Sequence, residues 1–353
     1  MSVYAIWNNK GGVGKSYLSF QIACEYALQH PDKKVLVVDL CPQANVSTIL
    51  LGGIIKGEEV LTDINTKANK RTISGYVKEK LISSYTHINS GSKYAVQVST
   101  INPSIPENVY LVVGDEELEN QASGILYAAS AQSVQDSWRL VHTWISEMIT
   151  DIQKSWNNAD NTVFIDCNPS FSIYTELALS AADRLIIPFT ADGSSKRSVK
   201  AILSLVYGIT RYTGDSVSDF YTKTKQYRLT LPRIYMYVGN KLTSMYSSSA
   251  KAFSSVVEEI GNEIFAVWQK HPELFCLHPS GAGTPSSRSA FNKMFQFQIR
   301  DSNTASVVST AMGIPVSSIT AGTVNLLNKN VVVNQTQIDQ ILDNLRFLVN
   351  EIE

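Results

Sequence analysis

Short apolar runs rich in β-branched residues recur along the chain, at 3–7, 35–38, 109–113, 163–165, 185–188, 234–238 and 295–299. The first six are continuous rather than alternating, as expected of strands covered on both faces. Longer stretches of helical character lie between them, at 17–29, 131–154, 173–182 and 198–212, and a last one covers 334–353. Strand–helix–strand repetition predicts an α/β fold, a doubly wound and mostly parallel sheet flanked by helices. The stretch 52–106 is less ordered in pattern: 73–83 reads as a short helix and the rest as loop. Two polar stretches, 243–249 and 279–289, read as surface loops. The pattern predicts a single domain over 1–353, with elaborated loops near 53–108, 213–232 and 243–295.

Composition narrows the class. At 353 residues, with 44% apolar and 17% charged residues, the chain can bury a large core and lies far from the disordered range. A net charge of −1 means that any nucleic acid must be met by a local patch. The four cysteines, Cys24, Cys41, Cys167 and Cys276, are widely spaced. That spacing argues against a disulfide framework, a zinc site or an iron–sulfur cluster held by one chain, and it fits a reducing cytoplasm. No signal peptide or membrane span is expected. The last helix sets Asp339, Asp343, Glu351 and Glu353 against Arg346, a charge that an anionic membrane repels.

Chemistry concentrates first in NNKGGVGKS, residues 8–16, directly after the first strand. Gly11, Gly12 and Gly14 let the backbone approach an anion and adopt positive φ. Around Val13 the amides form a concave nest, and the helix that opens near Lys15 adds its positive end. Lys15 is placed to reach β- and γ-phosphates, and the Ser16 hydroxyl to bind Mg²⁺, with Tyr17 next on the helix. The plainer alternative is a glycine-rich turn with Lys15 exposed. Asn9 stands where a phosphate loop usually has its first glycine, and Lys10 is an extra cation. At the start of the loop Lys10 faces the mouth of the site, where it is either a solvated lysine or a charge for a nucleotide held by a facing copy.

The run KGGVGKS resembles the K-G-G-x-G-K-[ST] motif of the deviant Walker A P-loop ATPases of the ParA/MinD type. The resemblance implies a P-loop NTPase fold, ATP and Mg²⁺ as cofactors, and an ATP-bound sandwich homodimer. In such a dimer the first lysine, here Lys10, contacts the partner's nucleotide. Lys10, Lys15 and Asp39 are then the catalytic candidates, and residues 10–17 hold nucleotide.

Later segments follow the family's order. VLVVDLCPQAN (35–45) ends a strand at Asp39, a carboxylate placed to orient Mg²⁺-bound water. The family's D-x-D-P-Q has a second aspartate that positions the attacking water; Cys41 stands there. A thiol accepts a hydrogen bond poorly, so slow or partner-dependent hydrolysis is expected; the plainer reading of Cys41 is a small packed thiol. VFIDCNPSF (163–171) resembles a Walker B and second switch segment, with Asp166 as a metal residue and Asn168-Pro169 as the turn that senses the γ-phosphate. SAADRLIIPFTADGSS (180–195) resembles the family's next strand and turn. Asn240, just past a strand in YMYVGNKLT, is expected to read the adenine edge, or else to be a turn residue.

The acidic last helix disfavours the membrane-binding branch, and the cysteine spacing disfavours the iron-protein and cluster-carrier branches. With no helix-turn-helix ahead of the loop, the resemblance points to the ParA (Soj-like) DNA-partition branch. That implies a nucleoid-associated switch which binds non-specific DNA, positions plasmid, chromosome or other cargo, and hydrolyses ATP when an adaptor or centromere-binding protein stimulates it. Lys196, Arg197, Lys200 and Arg211 are the candidate DNA contacts, followed by Lys223, Lys225, Arg228 and Arg233. A solvated basic face is the alternative for all of them. The rival function is an ATP-sensing scaffold that dimerises and recruits proteins with little turnover. A metabolic ligase sharing the loop is a third reading, in which Lys10 has little use.

Overall fold

The computed structural model describes residues 2–67, 70–210, 216–242, 248–301 and 304–353. In chain order the strands are β1 (Ser2–Ile6), β2 (Lys34–Leu40), β3 (Ala95–Gln97), β4 (Val109–Val112), β5 (Asn161–Cys167), β6 (Arg184–Phe189), β7 (Arg233–Leu242) and β8 (Gln296–Arg300), with β9 (Gly322–Leu326) and β10 (Lys329–Val333) forming a separate antiparallel hairpin. Among the described residues the first eight make one sheet in the order β3-β4-β2-β5-β1-β6-β7-β8, parallel throughout except at the β3–β4 edge. The expected α/β sheet is therefore present, and each of the seven expected strands overlaps one of its members.

The helices are α1 (Lys15–Gln29), α2 (Asn45–Leu50), α3 (Gly53–Thr66), α4 (Ile73–Ile82), α5 (Glu117–Ala129), α6 (Ser137–His142), α7 (Trp144–Ser155) and α8 (Ile173–Ala181). They continue with α9 (Gly193–Tyr207), α10 (Asp219–Gln226), α11 (Ser248–Lys270), α12 (Arg288–Phe295), α13 (Thr304–Met312) and α14 (Gln335–Val349). Successive strand residues feed two cores. Ala5, Leu36, Val38, Val163, Ile165, Leu185 and Ile187 pack under α4–α9, α11 and α12. Tyr4, Ile6, Val35, Val37, Phe164 and Ile186 pack under α1, α2, α13 and α14. Both sets are buried, so the strands read as unbroken apolar runs.

Several expectations change. The stretch 52–106 holds α3 as well as α4, and its glycines explain why it looked like loop. A Cβ added to Gly57 would lie 2.1 Å from the Thr48 carbonyl oxygen, and one added to Gly53 would lie 2.2 Å from that of Ala311. These glycines let α3 close onto α2 and α13, a use that sequence alone does not separate from helix breaking. The expected helix at 131–154 is α6 and α7 in series, and α5 precedes it unannounced. Within the expected loops 213–232 and 243–295 lie α10, α11 and α12; residues 213–215 and 243–247 fall outside the described set. The last helix begins where expected, with Asn334 as its N-cap accepting from the Thr336 amide at 2.8 Å.

Candidate functional site

The phosphate loop leaves the C-terminal end of β1, and its anchors come from far along the chain. Asn8 is fully buried; its Nδ2 donates to the Pro188 carbonyl of β6 at 2.6 Å, and its Oδ1 accepts from the Ser198 hydroxyl of α9. Asn240 of β7, also buried, donates Nδ2 to the Val13 carbonyl at 2.9 Å and so supports the loop from beneath. Trp7 donates its indole N–H to the Asn168 carbonyl at 3.0 Å, tying β1 to the turn after β5. Gly12 and Gly14 take φ of 76° and 82°, where a side chain would strain the backbone. α1 starts at the next residue, so its free amides open into the loop.

Lys15 turns inward. Its ammonium donates to the Lys10 carbonyl at 3.0 Å and lies 3.5 Å from that of Asn8. Burial pushes its pKa down, opposed by the Asp166 carboxylate. Asp39 and Asp166 are register partners on β2 and β5, both fully buried. Their roles in holding the site differ. Asp39 Oδ1 accepts from the Cys41 amide at 3.0 Å; Oδ2 accepts from the Ser47 amide and hydroxyl at 3.1 and 2.7 Å. Both oxygens thus shape the loop that leads into α2. Asp166 Oδ1 accepts from Ser19 at 3.0 Å, while Oδ2 is buried with no hydrogen-bond partner among the described residues. Burial raises both carboxyls, and the charge of Asp166 raises Asp39 further. Around Asp166, Ser16, Ser19 and Lys15 favour the carboxylate.

Lys10 turns the other way. Its ammonium pairs with Asp192 and donates to Thr190 at 3.2 Å, with Ser195 at 3.4 Å. Asp192 also caps α9, accepting from the Ser194 and Ser195 amides at 3.0 and 3.2 Å. Against the upward push of burial, hydrogen bonds from Lys10, Thr190 and Ser194 hold its carboxyl well below the usual carboxylate range. One loop thus carries two lysines with separate destinations, one inside the nest and one at its rim.

A cavity of about 740 Å³ opens above the loop, lined by Gly11, Gly12, Gly14, Lys15, Ser16, Tyr17, Cys41 and Cys167, with further residues from α2, α3 and α13. A Cβ placed on Gly11 or Gly12 meets nothing within 4 Å, so the nest faces open space. Cys41 is packed, and burial followed by the Asp39 charge pushes its thiol up to about 12. At neutral pH it is a neutral thiol and a poor acceptor.

Comparison with known proteins adds the family. Residues 1–218 match the family model described as AAA domain. The chain belongs to that family. The chromosome-partitioning ATPase Soj of Treponema pallidum (strain Nichols) is 24% identical over 242 residues, which are 67% of this chain and 78% of that protein. The ATP complex of a McdA variant from Cyanothece superposes with a TM-score of 0.59 at 15% identity, covering 100% of this chain and 98% of that one. A putative plasmid partition protein from Borrelia burgdorferi B31, bound to AMPPNP, gives 0.51 at 16% identity over 99% of each chain. This chain is a ParA/MinD-type P-loop ATPase.

In this ATPase the expected site residues are only partly convergent. Lys15, Ser16 and Asp166 meet around one buried point, with Asp39 adjacent on β2. Asn240 does not line the cavity; it is sealed under the loop. Three of the expected basic residues are paired: Lys196 with Glu259 at 2.8 Å and Lys200 with Glu263 at 2.6 Å, both on α11, and Lys223 with Asp219 at 2.9 Å. Arg197 is exposed, and Arg211 lies outside the described residues. Sequence reasoning missed Asn8, Ser19, Ser47, Thr190 and Asp192. The polar pair after β1 was the sole local hint of Asn8, and nothing local announces Asp192 as the partner of Lys10, 182 positions away. Among the described residues no helix is long and apolar enough to cross a membrane.

Proposed function

We propose that this ATPase is a nucleotide-dependent switch. ATP and Mg²⁺ bind at the phosphate loop, two copies close around two nucleotides with each Lys10 crossing to its partner, and the closed dimer associates with DNA without reading sequence. The observation that carries this reading is the divergence of Lys10 and Lys15 from one loop. A lysine whose ammonium sits at the rim, away from its own nest, is useful to a phosphate held opposite.

The residues present suit the two cofactors. The open nest, the α1 amides and Lys15 suit a triphosphate. The unpartnered buried oxygen of Asp166, with Ser16 beside it, suits a hard divalent cation that prefers few protein oxygens. When bound, Mg²⁺ would neutralise phosphate charge; Lys15 would stabilise the β- and γ-oxygens, and Asp39 would hold the loop bearing Cys41 in place. With a neutral thiol at position 41, attacking water is weakly oriented, so turnover is slow until an adaptor completes the site.

Support for the cargo side comes from the relatives, whose names include a chromosome-partitioning ATPase and a plasmid partition protein. We read the chain as one unit acting in the cytoplasm at the nucleoid. On this reading Arg197 contributes directly to DNA, while Lys196 and Lys200 must first leave Glu259 and Glu263. Cys41 also favours a second reading, an ATP-sensing scaffold that dimerises and recruits proteins with little turnover. Light scattering on the purified chain with Mg²⁺ tests the switch. It should be monomeric with ADP and dimeric with a non-hydrolysable ATP analogue, and Lys10→Ala should remain monomeric in both. A monomer in every state would end the proposal.

A further inference from the structure

α9 presents different chemistry to each of its neighbours. Val199, Ile202, Leu203 and Val206 are buried in the core, while Ser195 and Ser198 meet Lys10 and Asn8 of the phosphate loop. Lys196 and Lys200, one turn apart, reach α11 instead. Lys196 pairs with Glu259 at 2.8 Å and Lys200 with Glu263 at 2.6 Å, so each helix advances four residues between the two pairs, in the same direction. α11 is held there by its own apolar stripe: Val257, Ile260, Ile264, Val267 and Trp268 are buried in the same core as α9. Core packing therefore fixes where the two carboxylates stand.

The seam between the helices stays accessible. The side chains of Lys196 and Lys200 are 35% and 20% exposed, and those of Glu259 and Glu263 are 52% and 35% exposed. Pairs this wet are weak and yield to a competing anion. Arg197, also exposed, lies about 100° around the axis from Lys196 and about 60° from Lys200, so three cations share one side of α9. The hydrogen bond and charge of Lys196 hold the Glu259 carboxyl below its usual range. What the lysines meet is a row of anions, two carboxylates about 6 Å apart along α11. A lone phosphate can replace one of them. A nucleic-acid backbone, with a phosphate about every 3.4 Å of axis on each strand, can replace both.

We propose that the α9–α11 seam is the surface through which this ATPase meets DNA, and that Glu259 and Glu263 stand in for two backbone phosphates until duplex displaces them. The assignment rests on the DNA-associating switch given above. It places the contact on Lys196, Lys200 and Arg197, and it makes α11 a competitor carried by the chain itself. Affinity for DNA is then set by the difference between phosphate and carboxylate at the same two ammonium groups.

The test is an anisotropy titration of labelled random-sequence duplex with the full chain, Mg²⁺ and a non-hydrolysable ATP analogue. Glu259→Gln/Glu263→Gln keeps the side-chain shape and removes both carboxylate charges; it should bind about 3- to 30-fold more tightly than wild type. The gain should shrink as salt rises, because exposed pairs are screened. Losing acidic groups also raises the net charge, so Glu258→Gln, exposed and one residue away on α11, is the control for Glu259→Gln and should stay near wild type. In a Lys196→Gln/Lys200→Gln background, which should itself bind more weakly, the same two glutamate changes should bring no gain. Unchanged affinity in Glu259→Gln/Glu263→Gln, an equal gain from Glu258→Gln, or a gain that persists without the two lysines would overturn the assignment and leave the DNA switch intact. Failure of wild type and Glu259→Gln/Glu263→Gln alike to bind duplex would overturn both. Circular dichroism establishes that the variants fold.

Discussion

Replacing Asp192 with asparagine isolates the contact between the rim lysine and α9. Asp192 caps α9 through Oδ1 and receives Lys10 on Oδ2. Asparagine is an equally good N-cap, so the helix start should survive while the charge pairing goes. The Lys10 and Asp192 side chains are 24% and 44% exposed, so solvent screening limits the ion pair to about 1 kcal/mol or less. Two such pairs open when two copies close, which gives at most about 2 kcal/mol, or about 30-fold in the dimer constant. Asp192→Asn should therefore dimerise more tightly than wild type, by a factor of about 3 to 30. Sedimentation velocity across a concentration series, with Mg²⁺ and a non-hydrolysable ATP analogue, reads this directly, and Lys10→Ala supplies the dimerless reference. An unchanged or weaker dimer in Asp192→Asn, with a normal melting temperature, would refute the idea that Lys10 must leave Asp192 before it crosses.

Two further outcomes are expected. If position 41 orients the attacking water, as proposed above, Cys41→Asp should raise basal ATP turnover about 10- to 100-fold; no rise in a steady-state phosphate-release assay would mean that water is held elsewhere. His278 is buried between Glu351 at 3.1 Å and the Tyr235 carbonyl at 2.9 Å, and burial pushes its pKa down despite Glu351. Its depressed value means the unfolded chain takes up the proton first, so this contribution to stability is present above about pH 6.5 and is lost as pH falls below it. Urea midpoints at pH 7.5 and 5.5 should therefore separate less in His278→Gln than in wild type, and equal separations would count against it.

Much of the fold was legible because β1, β2, β4, β5 and β6 are buried on both faces and carry continuous apolar runs, while β8 shows itself by alternation, with Phe297 and Ile299 buried and Gln298 and Arg300 exposed. β3, β9 and β10 escaped notice for the opposite reason: they are short and partly exposed, without a clear period. The inner part of the site was legible too, since Gly12, Gly14, Lys15 and Ser16 act through local backbone geometry. What surrounds them was not. The hold of Asn8 on Pro188 and Ser198, and that of Asp192 on Lys10, join positions that only the β1–β6 pairing brings together. α3 was hidden by its own glycines, whose purpose is set by the carbonyls of Thr48 and Ala311. Charge was misleading in a similar way: Lys196 and Lys200 read as a free basic face until Glu259 and Glu263 of α11 are set beside them.

The central claim is that ATP gives the dimer its affinity for DNA. Binding to random-sequence duplex should be measured with ADP and with a non-hydrolysable ATP analogue, at constant Mg²⁺, across a salt series, for wild type and Lys10→Ala. The account predicts binding with the ATP analogue only, falling steeply as salt rises because phosphate contacts release counterions, and abolished in Lys10→Ala. Equal binding with both nucleotides, or no binding while the ATP dimer forms normally, would contradict it.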